Sequence, residues 1–348
     1  MSKYLSACFE ELEPYVPGEQ PGRSGCIKLN TNELPYPPSP LVQRAVAEQA
    51  SQLNRYPDPT AADLMNEMAR HFGVQPQNCF AGNGSDEVLA FCFQALCPGG
   101  AAFADLTYGF YPVYCALYEV DAKIIPLKDD FSLDIADYLG LGRTIFIANP
   151  NAPSGLALTL AEIEQVLARN PGSLVVVDEA YVDFGAQSAV PLLEKYDNLL
   201  VIGTFSKSRA LAGARLGYAV GSEALVADMN RIKYSFNPYS LNRMTLAAGV
   251  AALQDDAYFE ECRGKIIQTR ERVTIALCEK GFVCTNSKTN FIFARHQRIG
   301  GKTLFDKLWE AGILVRRWEK DRIKDHLRIS VGTDAEMDTM LAQLDKII

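Results

Sequence analysis

The sequence lacks the features that membrane, nucleic-acid-binding and secreted proteins share. No window of its 348 residues approaches the roughly 20 consecutive apolar residues of a membrane-spanning helix. Its 34 Lys and Arg residues form no basic block and are outnumbered by 42 Asp and Glu, so the net charge is −8 and a general nucleic-acid surface is disfavoured. Glu10, Glu11 and Glu13 stand where a signal peptide would need an apolar stretch. We therefore expect a cytoplasmic protein with small-molecule partners and with neither a nucleic-acid nor a membrane partner.

Patterns typical of metal and disulfide sites are also missing. The nine Cys residues include no CxxC pair, so we interpret them as small apolar residues in a reducing compartment. None of the three His residues lies beside the cofactor-binding motifs described below, and the sequence predicts no metal site. The P-loop pattern GxxxxGK[ST] is absent, and Glu87 stands where the last glycine of GxGxxG would be.

What the sequence does contain is an alternation of short apolar runs with helical patterns. The apolar runs cover residues 101–104, 144–148, 174–177, 199–203 and 217–220. This alternation predicts the α/β class, with a mostly parallel sheet covered by helices on both faces. We expect three parts: a Pro-rich arm over 1–40, a large lobe over 41–240 and a smaller α+β lobe over 241–348. Thr60, with Asp63 three residues later, is predicted to cap a helix that ends at Gly73.

Polar side chains follow two of the apolar runs, at the carboxyl ends of strands where such sheets bind ligands. Asp178 follows the run 174–177, and a carboxylate in this position needs a positive partner. Ser206 and Lys207 follow the run 199–203, with Arg215 eight residues after Lys207. A Lys at a buried strand end can act as an amine nucleophile towards carbonyl compounds. Taken singly, Asp178 could cap a helix and the Ser-Lys pair could lie in a solvated turn.

A third motif, residues 82–87, precedes a helical pattern. Its glycines, the free N–H groups of the helix start and the Ser85 hydroxyl can hold an anion. Together with the acid, the amine and the Arg, this motif describes a single ligand. Pyridoxal 5′-phosphate has an aldehyde for the amine, a pyridine nitrogen for the acid and a phosphate for the anion site.

The ordered motifs resemble those of fold-type I pyridoxal-phosphate aminotransferases, and most of all those of the histidinol-phosphate aminotransferase family. Matching segments run along nearly the whole chain, over 29–33, 55–58, 82–87, 107–111, 149–155, 178–181, 206–215 and 327–332. The resemblance implies a homodimer that transfers an amino group from histidinol phosphate to 2-oxoglutarate in histidine biosynthesis. A threonine-phosphate decarboxylase and an aromatic amino-acid aminotransferase remain open alternatives. A catalytically inert binding protein is disfavoured, because Lys207, Asp178 and Arg215 are all present.

The resemblance also implies a role for individual cofactor-binding residues. Lys207 would hold the cofactor and move the substrate proton, Asp178 would keep the pyridine nitrogen protonated, and Tyr181 would hydrogen-bond the ring hydroxyl. From the loop 149–155 the second partner of that hydroxyl is expected to be Asn151, because Ala152 stands where relatives have Asn. The other expected cofactor contacts are Gly84, Ser85, Asp86, Tyr108 stacked on the ring, Ser206, Arg215, and Tyr56 from the other subunit.

Three further residues are expected at the substrate. Arg328, in the predicted strand 327–331, matches the Arg that takes a substrate carboxylate in two parallel hydrogen bonds. Arg316 matches a second substrate-binding Arg, although the adjacent Arg317 leaves that assignment open by one place. Tyr15, in the arm, corresponds to a residue near the distal phosphate of the substrate. An arm Tyr that packs on the surface is the alternative.

Overall fold

The computed structural model describes residues 2–20 and 25–348. The strands are β1 (Ile27–Lys28), β2 (Cys79–Asn83), β3 (Ala101–Ala104), β4 (Ala122–Ile125), β5 (Thr144–Ala148), β6 (Val175–Asp178), β7 (Leu199–Thr204), β8 (Leu216–Gly221), β9 (Phe282–Cys284), β10 (Phe291–His296), β11 (Ile313–Leu314) and β12 (His326–Ser330). The α-helices are α1 (Pro40–Gln49), α2 (Ala62–Phe72), α3 (Gly84–Ala95), α4 (Phe110–Leu117), α5 (Leu160–Arg169), α6 (Glu223–Phe236), α7 (Arg243–Gln254), α8 (Asp256–Glu279), α9 (Gly301–Glu310) and α10 (Asp334–Ile347).

A seven-stranded sheet forms the centre of the large lobe. Its strand order is β2-β8-β7-β6-β5-β3-β4, and β8 runs antiparallel to both of its neighbours while the other pairs are parallel. The predicted α/β class with a mostly parallel sheet is confirmed. Because β5, β6 and β7 are neighbours and parallel, their carboxyl ends meet at one edge of the sheet.

The two faces of this sheet are buried under different helices. Val176 and Leu200 face one side, in a cluster with residues of α3, α4 and α6. Val175 and Val177 face the other side, in a cluster with residues of α5. Successive strand residues thus pack on opposite faces, and the continuous apolar runs of the sequence follow from burial on both.

Local sequence signals set several helix boundaries. Thr159 and Glu162 form a reciprocal capping box at α5, as do Thr333 and Glu336 at α10. The predicted end of α2 at Gly73 is confirmed, with Gly73 in a left-handed conformation (φ 68°). The predicted Thr60 cap is wrong.

The residue that accepts a hydrogen bond from the free backbone N–H at the start of α2 is Asp58. Its carboxylate accepts hydrogen bonds from the Ala62 N–H at 2.9 Å and from the Thr60 N–H and hydroxyl at 2.9 and 2.7 Å. Ala61 precedes the helix in a left-handed conformation (φ 50°). The Thr60 hydroxyl therefore donates back to Asp58 and does not accept from the helix.

The small lobe is built on an antiparallel sheet of order β12-β10-β9, packed in one core with α8, α9 and α10. Strand β1, from the predicted arm, pairs in parallel with β11. Helix α7, from the predicted small lobe, packs against α1 and α2. The boundaries at residues 40 and 240 stay a prediction. Across residues 2–20 and 25–348, none of the helices has the length and apolar character needed to cross a bilayer.

One glycine fixes how closely the start of α3 approaches the sheet. A Cβ on Gly217, in β8, would lie 2.1 Å from the Ser85 nitrogen and 2.3 Å from the Gly84 carbonyl carbon. These are backbone atoms and cannot rotate away, so the glycine allows the N-terminus of α3 to rest directly on β8.

We predict that Gly217→Ala lowers the free energy of unfolding by about 1–3 kcal/mol or more, since it forces strand and helix apart. Gly264→Ala is the matched control, because a Cβ there meets no atom within 4 Å and the residue lies inside α8. The control should raise stability by about 0.5–1 kcal/mol through helix propensity. Urea unfolding of both variants measures the difference, and an unchanged midpoint for Gly217→Ala would contradict the close approach.

Candidate active site

A cavity of about 330 Å³ opens at the carboxyl edge of the large sheet. Strand β5 contributes Ala148 to its wall, and the loop after it contributes Pro150 and Ala152. The predicted site residues that line it are Asp178 at the end of β6, Tyr181 after it, Ser206 and Lys207 after β7, Ser85 and Asp86 at the start of α3, and Tyr108 and Arg215. Residues far apart in sequence thus converge on one space, as expected for neighbouring strand ends.

Asp178 is a buried carboxylate that forms no ion pair with the described residues. One oxygen accepts a hydrogen bond from the Tyr111 hydroxyl at 2.9 Å, and the other accepts from the Ala180 N–H at 3.2 Å. Burial raises the pKa of Asp178 from 3.8 to about 6, although both hydrogen bonds act in the opposite direction. The side chain therefore favours a ligand that brings a positive charge, such as a protonated ring nitrogen.

Lys207 places a primary amine at the same cavity. Its Nζ donates a hydrogen bond to the Thr31 carbonyl at 3.3 Å and lies 5.7 Å from the centre of the Tyr181 ring. The Tyr181 hydroxyl accepts a hydrogen bond from Asn32 at 2.9 Å. Among the described residues Lys207 has no carboxylate partner within ion-pair distance, so its amine is available to a ligand.

The anion site lies where α3 begins. A Cβ on Gly84 would lie 2.5 Å from Nη2 of Arg215, so only glycine lets the guanidinium rest against the helix start. The carboxylate of Asp86 accepts from Arg215 at 2.8 Å and from the Tyr108 hydroxyl at 2.6 Å. Asp86 thereby orients a cation and an aromatic ring. Its direct contact with a cofactor stays a prediction.

Arg328 is the predicted substrate-binding cation, and it is not among the residues that line the cavity. It lies on β12 and donates to the Asn30 carbonyl at 2.9 Å, while its buried Nε has no hydrogen-bond partner in the described part of the chain. Its Cζ lies 5.4 Å from the centre of the Phe291 ring and 5.3 Å from that of Trp318. Burial lowers the pKa of Arg328, and no carboxylate compensates for its charge there. A guanidinium in this state fits an anionic group of a ligand.

The two Arg candidates next to it are oriented differently. Arg316 donates to the arm carbonyls of Val16 at 3.2 Å and Pro17 at 3.3 Å, and its backbone pairs with that of Arg328. Arg317 donates to the Lys324 carbonyl and forms an ion pair with Glu319 at 2.5 Å. Of the two, Arg316 therefore stands next to Arg328.

Tyr15 lies close to the aromatic side chains of the site. Its ring stacks on Phe110 with the centroids 4.3 Å apart and lies 6.4 Å from Tyr108. Of these two aromatic residues only Tyr108 lines the cavity, and a contact of Tyr15 with a substrate phosphate stays a prediction.

Asn151 and Tyr56 do not line the cavity of this chain, and neither do the predicted residues Gly84, Arg316, Arg328 and Tyr15. The Asn151 amide donates to the Leu106 carbonyl at 3.0 Å and to the Ser154 hydroxyl at 3.1 Å, whereas Ala152 lines the cavity beside it. Tyr56 is 77% exposed and stacks on Tyr239, with centroids 4.5 Å apart. The roles of both remain predictions.

Three residues of the site received no role from the sequence. Tyr111 donates to Asp178, Thr31 accepts from Lys207, and Glu33 lines the cavity. Each belongs to a segment that matched the family motifs, 29–33 or 107–111. The sequence therefore identified the segments, but the hydrogen-bond partners of these residues became evident only from the fold.

The comparisons with known proteins cover the whole chain. The family model described as aminotransferase class I and II matches residues 24–344. A histidinol-phosphate aminotransferase of Brachyspira hyodysenteriae is 49% identical over 352 residues, covering 100% of this chain and 99% of the relative. Histidinol-phosphate aminotransferase 1 of Bradyrhizobium diazoefficiens is 49% identical over 350 residues and 100% of both chains. The solved histidinol-phosphate aminotransferase of Sinorhizobium meliloti, in complex with pyridoxal-5′-phosphate, superimposes with a TM-score of 0.89 at 27% identity, over 100% of this chain and 98% of that one.

We predict that Asp178→Asn stabilises the ligand-free protein at about pH 8. In the folded state the pKa of Asp178 is raised from 3.8 to about 6, so folding loses stability as the pH rises through that interval. At 1.36 kcal/mol per pKa unit, the uncharged amide of Asn regains roughly 3 kcal/mol of folding free energy at pH values above this interval. About 1 kcal/mol of that gain is lost, because the amide nitrogen cannot accept one of the two hydrogen bonds that the carboxylate accepts.

Urea unfolding of both ligand-free proteins at about pH 8 and pH 4 tests this sign. The net gain of about 1–2 kcal/mol should appear at the higher pH and disappear at the lower one. A variant that is less stable than the wild type at pH 8 would show that Asp178 is compensated within the protein itself.

Proposed function

Because the chain belongs to the aminotransferase class I and II family, we propose that it is a pyridoxal-phosphate-dependent transaminase of histidine biosynthesis. It converts histidinol phosphate and 2-oxoglutarate to imidazole acetol phosphate and glutamate. The observation that carries the proposal is the convergence of Asp178, Lys207 and Arg215 on one cavity. The full-length relatives named histidinol-phosphate aminotransferase support the choice of amino donor.

The residues of the cavity fit pyridoxal 5′-phosphate by their chemistry. Lys207 offers an amine to its aldehyde, and Asp178 offers a buried carboxylate, without a cation partner, to its ring nitrogen. Arg215, Ser206 and the start of α3 offer positive charge and donors to its phosphate. When bound, the cofactor supplies an electron sink that stabilises negative charge on the substrate α-carbon.

The chain's own residues supply proton transfer and orientation. The Lys207 Nζ is the amine at the cavity that would take the proton from the substrate α-carbon and deliver it to the cofactor. Asp178 would hold a proton on the ring nitrogen by charge, and the hydrogen bond from Tyr111 fixes its carboxylate. Tyr108, oriented by Asp86, would cover the ring face. Arg328 takes the anionic end of either substrate, phosphate in one half-reaction and carboxylate in the other.

A homodimer completes the proposed site. Leu53 and Tyr56 are 59% and 77% exposed, and Phe236, in a second segment, is 70% exposed. The ring of Tyr56 stacks on Tyr239 of that second segment, so the two segments are in contact. Large apolar side chains exposed together are typical of a protein interface. In the proposed dimer Tyr56 of one subunit reaches the cofactor phosphate of the other. We place the enzyme in the cytoplasm, since all nine Cys residues are free thiols.

Conversion of the bound cofactor by a single substrate tests the function. We predict that purified holoenzyme mixed with histidinol phosphate forms pyridoxamine phosphate, which is measured as a loss of visible absorbance. Addition of 2-oxoglutarate should then restore the starting spectrum. Lys207→Ala should abolish turnover while leaving the fold intact, because the lost amine is both the covalent anchor and the proton carrier.

Two other substrates separate the alternatives. Release of CO₂ from threonine phosphate would identify a decarboxylase, and pyridoxamine phosphate formed from phenylalanine but not from histidinol phosphate would identify an aromatic aminotransferase. Either result contradicts the proposed donor. A Lys207→Ala protein that still carries a borohydride-reducible cofactor would contradict the role of Lys207.

Mixed dimers test the contribution of Tyr56. We predict that Tyr56→Phe weakens cofactor binding, and that mixing Tyr56→Phe subunits with Lys207→Ala subunits restores about one intact site per mixed dimer. In that dimer, Lys207 of one subunit and Tyr56 of the other are both unmutated at the same site. The measurement is cofactor affinity and activity before and after exchange, and no gain on mixing would place Tyr56 at the site of its own subunit.

A further inference from the structure

Two polar residues on the cavity wall have no part in holding the cofactor, and both belong to the segment that follows β1. They are Thr31 and Glu33. Three backbone contacts fix this segment to the small lobe: the Leu29 N–H donates to the Leu314 carbonyl at 2.8 Å, the Asn32 N–H donates to the Ser330 hydroxyl at 2.8 Å, and the Asn32 carbonyl accepts from Asn290 at 2.8 Å. The position of Glu33 is therefore determined by the fold.

Glu33 is held as a carboxylate with one oxygen available. Its Oε2 contacts the Lys28 ammonium at 2.6 Å and accepts the Thr31 hydroxyl at 2.8 Å. Burial alone would raise the pKa of Glu33, but these two contacts outweigh it and hold the pKa below its ordinary value of 4.5. No residue of the described segments donates a hydrogen bond to Oε1. Glu33 thus presents a negatively charged acceptor at the wall of the cavity, and 44% of its side chain is exposed.

This acceptor lies near the reacting amine and forms no ion pair with Arg328. The Thr31 carbonyl accepts from the Lys207 Nζ at 3.3 Å, and the charge of Lys207 acts on Glu33. Arg328 is instead bonded to Asn30 and flanked by Phe291 and Trp318. A substrate that carries an anion at one end and an N–H donor at the other satisfies both groups.

We propose that Glu33 selects the amino donor by accepting a hydrogen bond from the N–H of its imidazole ring. The assignment rests on the proposed function, since it presupposes histidinol phosphate as the donor. The phosphate of that molecule goes to Arg328, and the imidazole then turns to Glu33. Phenylalanine has no ring N–H and cannot form this hydrogen bond, which favours histidinol phosphate over aromatic amino acids of similar shape.

The same carboxylate acts against the second substrate. 2-Oxoglutarate carries a carboxylate at each end, so when one of them is bound by Arg328 the other experiences the charge of Glu33. Neutralising Glu33 should therefore weaken the donor half-reaction and leave the 2-oxoglutarate half-reaction unchanged or faster. A residue with a merely structural role would affect both half-reactions in the same direction.

Glu33→Gln in the holoenzyme tests the assignment, because it removes the charge and keeps the shape. We expect kcat/KM for histidinol phosphate to fall about tenfold, the difference between a charge-assisted and a neutral hydrogen bond, with no fall for 2-oxoglutarate or phenylalanine. Calorimetry of histidinol phosphate binding to borohydride-reduced enzyme should show the same loss of affinity without turnover. Glu164→Gln is the matched control: it makes the same charge change at a carboxylate paired with Lys195 at 3.2 Å, on α5, and should alter neither half-reaction.

The possible failures are distinguishable. If the unmutated enzyme forms pyridoxamine phosphate from histidinol phosphate, and Glu33→Gln either leaves that reaction unchanged or slows both half-reactions equally, the assignment of Glu33 is overturned and the proposed function stands. If the unmutated enzyme does not react with histidinol phosphate, the proposed function is wrong and the assignment of Glu33 is overturned with it.

Discussion

The constraint on which the site depends is the carboxylate of Asp178, which is buried without a positive partner among the described residues. It is the last residue of β6, and β6 lies between two parallel strands that are almost wholly apolar, so no charged side chain of the sheet can reach it. The hydrogen bonds from Tyr111 and Ala180 fix its direction but do not neutralise it. The sheet therefore stores an unfavourable charge at its carboxyl edge, and a ligand with a protonated ring nitrogen removes that cost on binding.

The two arginines of the site are prepared for anions in opposite ways. Arg215 already has a partner, Asp86, so a phosphate that approaches it shares or displaces an existing ion pair, and the net gain is small. Arg328 has only a carbonyl and two aromatic rings, so an anion there relieves a desolvated charge. The difference suits their proposed tasks. A cofactor held by several groups needs orientation from Arg215, whereas a substrate that must bind and leave draws on Arg328 for affinity.

The alternation of apolar runs and helices was sufficient to predict the α/β fold, and the strand-end rule was sufficient to predict that Asp178, Lys207 and Arg215 would meet. Both inferences rest on the periodicity of apolar residues, which can be seen directly in the sequence. The direction in which a side chain points cannot be seen there. The amide of Asn151 turns to Leu106 and Ser154, Tyr111 turns from α4 to Asp178, and the hydroxyl of Thr60 turns back to Asp58. For Asn151 and Tyr111 a partner distant in sequence decides the outcome, and for Thr60 the left-handed conformation of Ala61 does.

The groups proposed to hold the cofactor and those proposed to choose the substrate belong to different parts of the chain. Asp178, Lys207 and Arg215 lie at strand ends or in loops of the large sheet, whereas Arg328 lies on the small-lobe sheet and Glu33 lies in a segment bonded to it. The hydrogen bond from Lys207 to the Thr31 carbonyl joins the two sets. Because the proposed cofactor-binding groups lie at one edge of a single sheet, their spacing in the sequence is constrained. Sequence motifs therefore identify them reliably. The substrate groups depend on how the segment 29–33 is positioned between the lobes, so a single substitution there can change the donor while every cofactor motif stays the same.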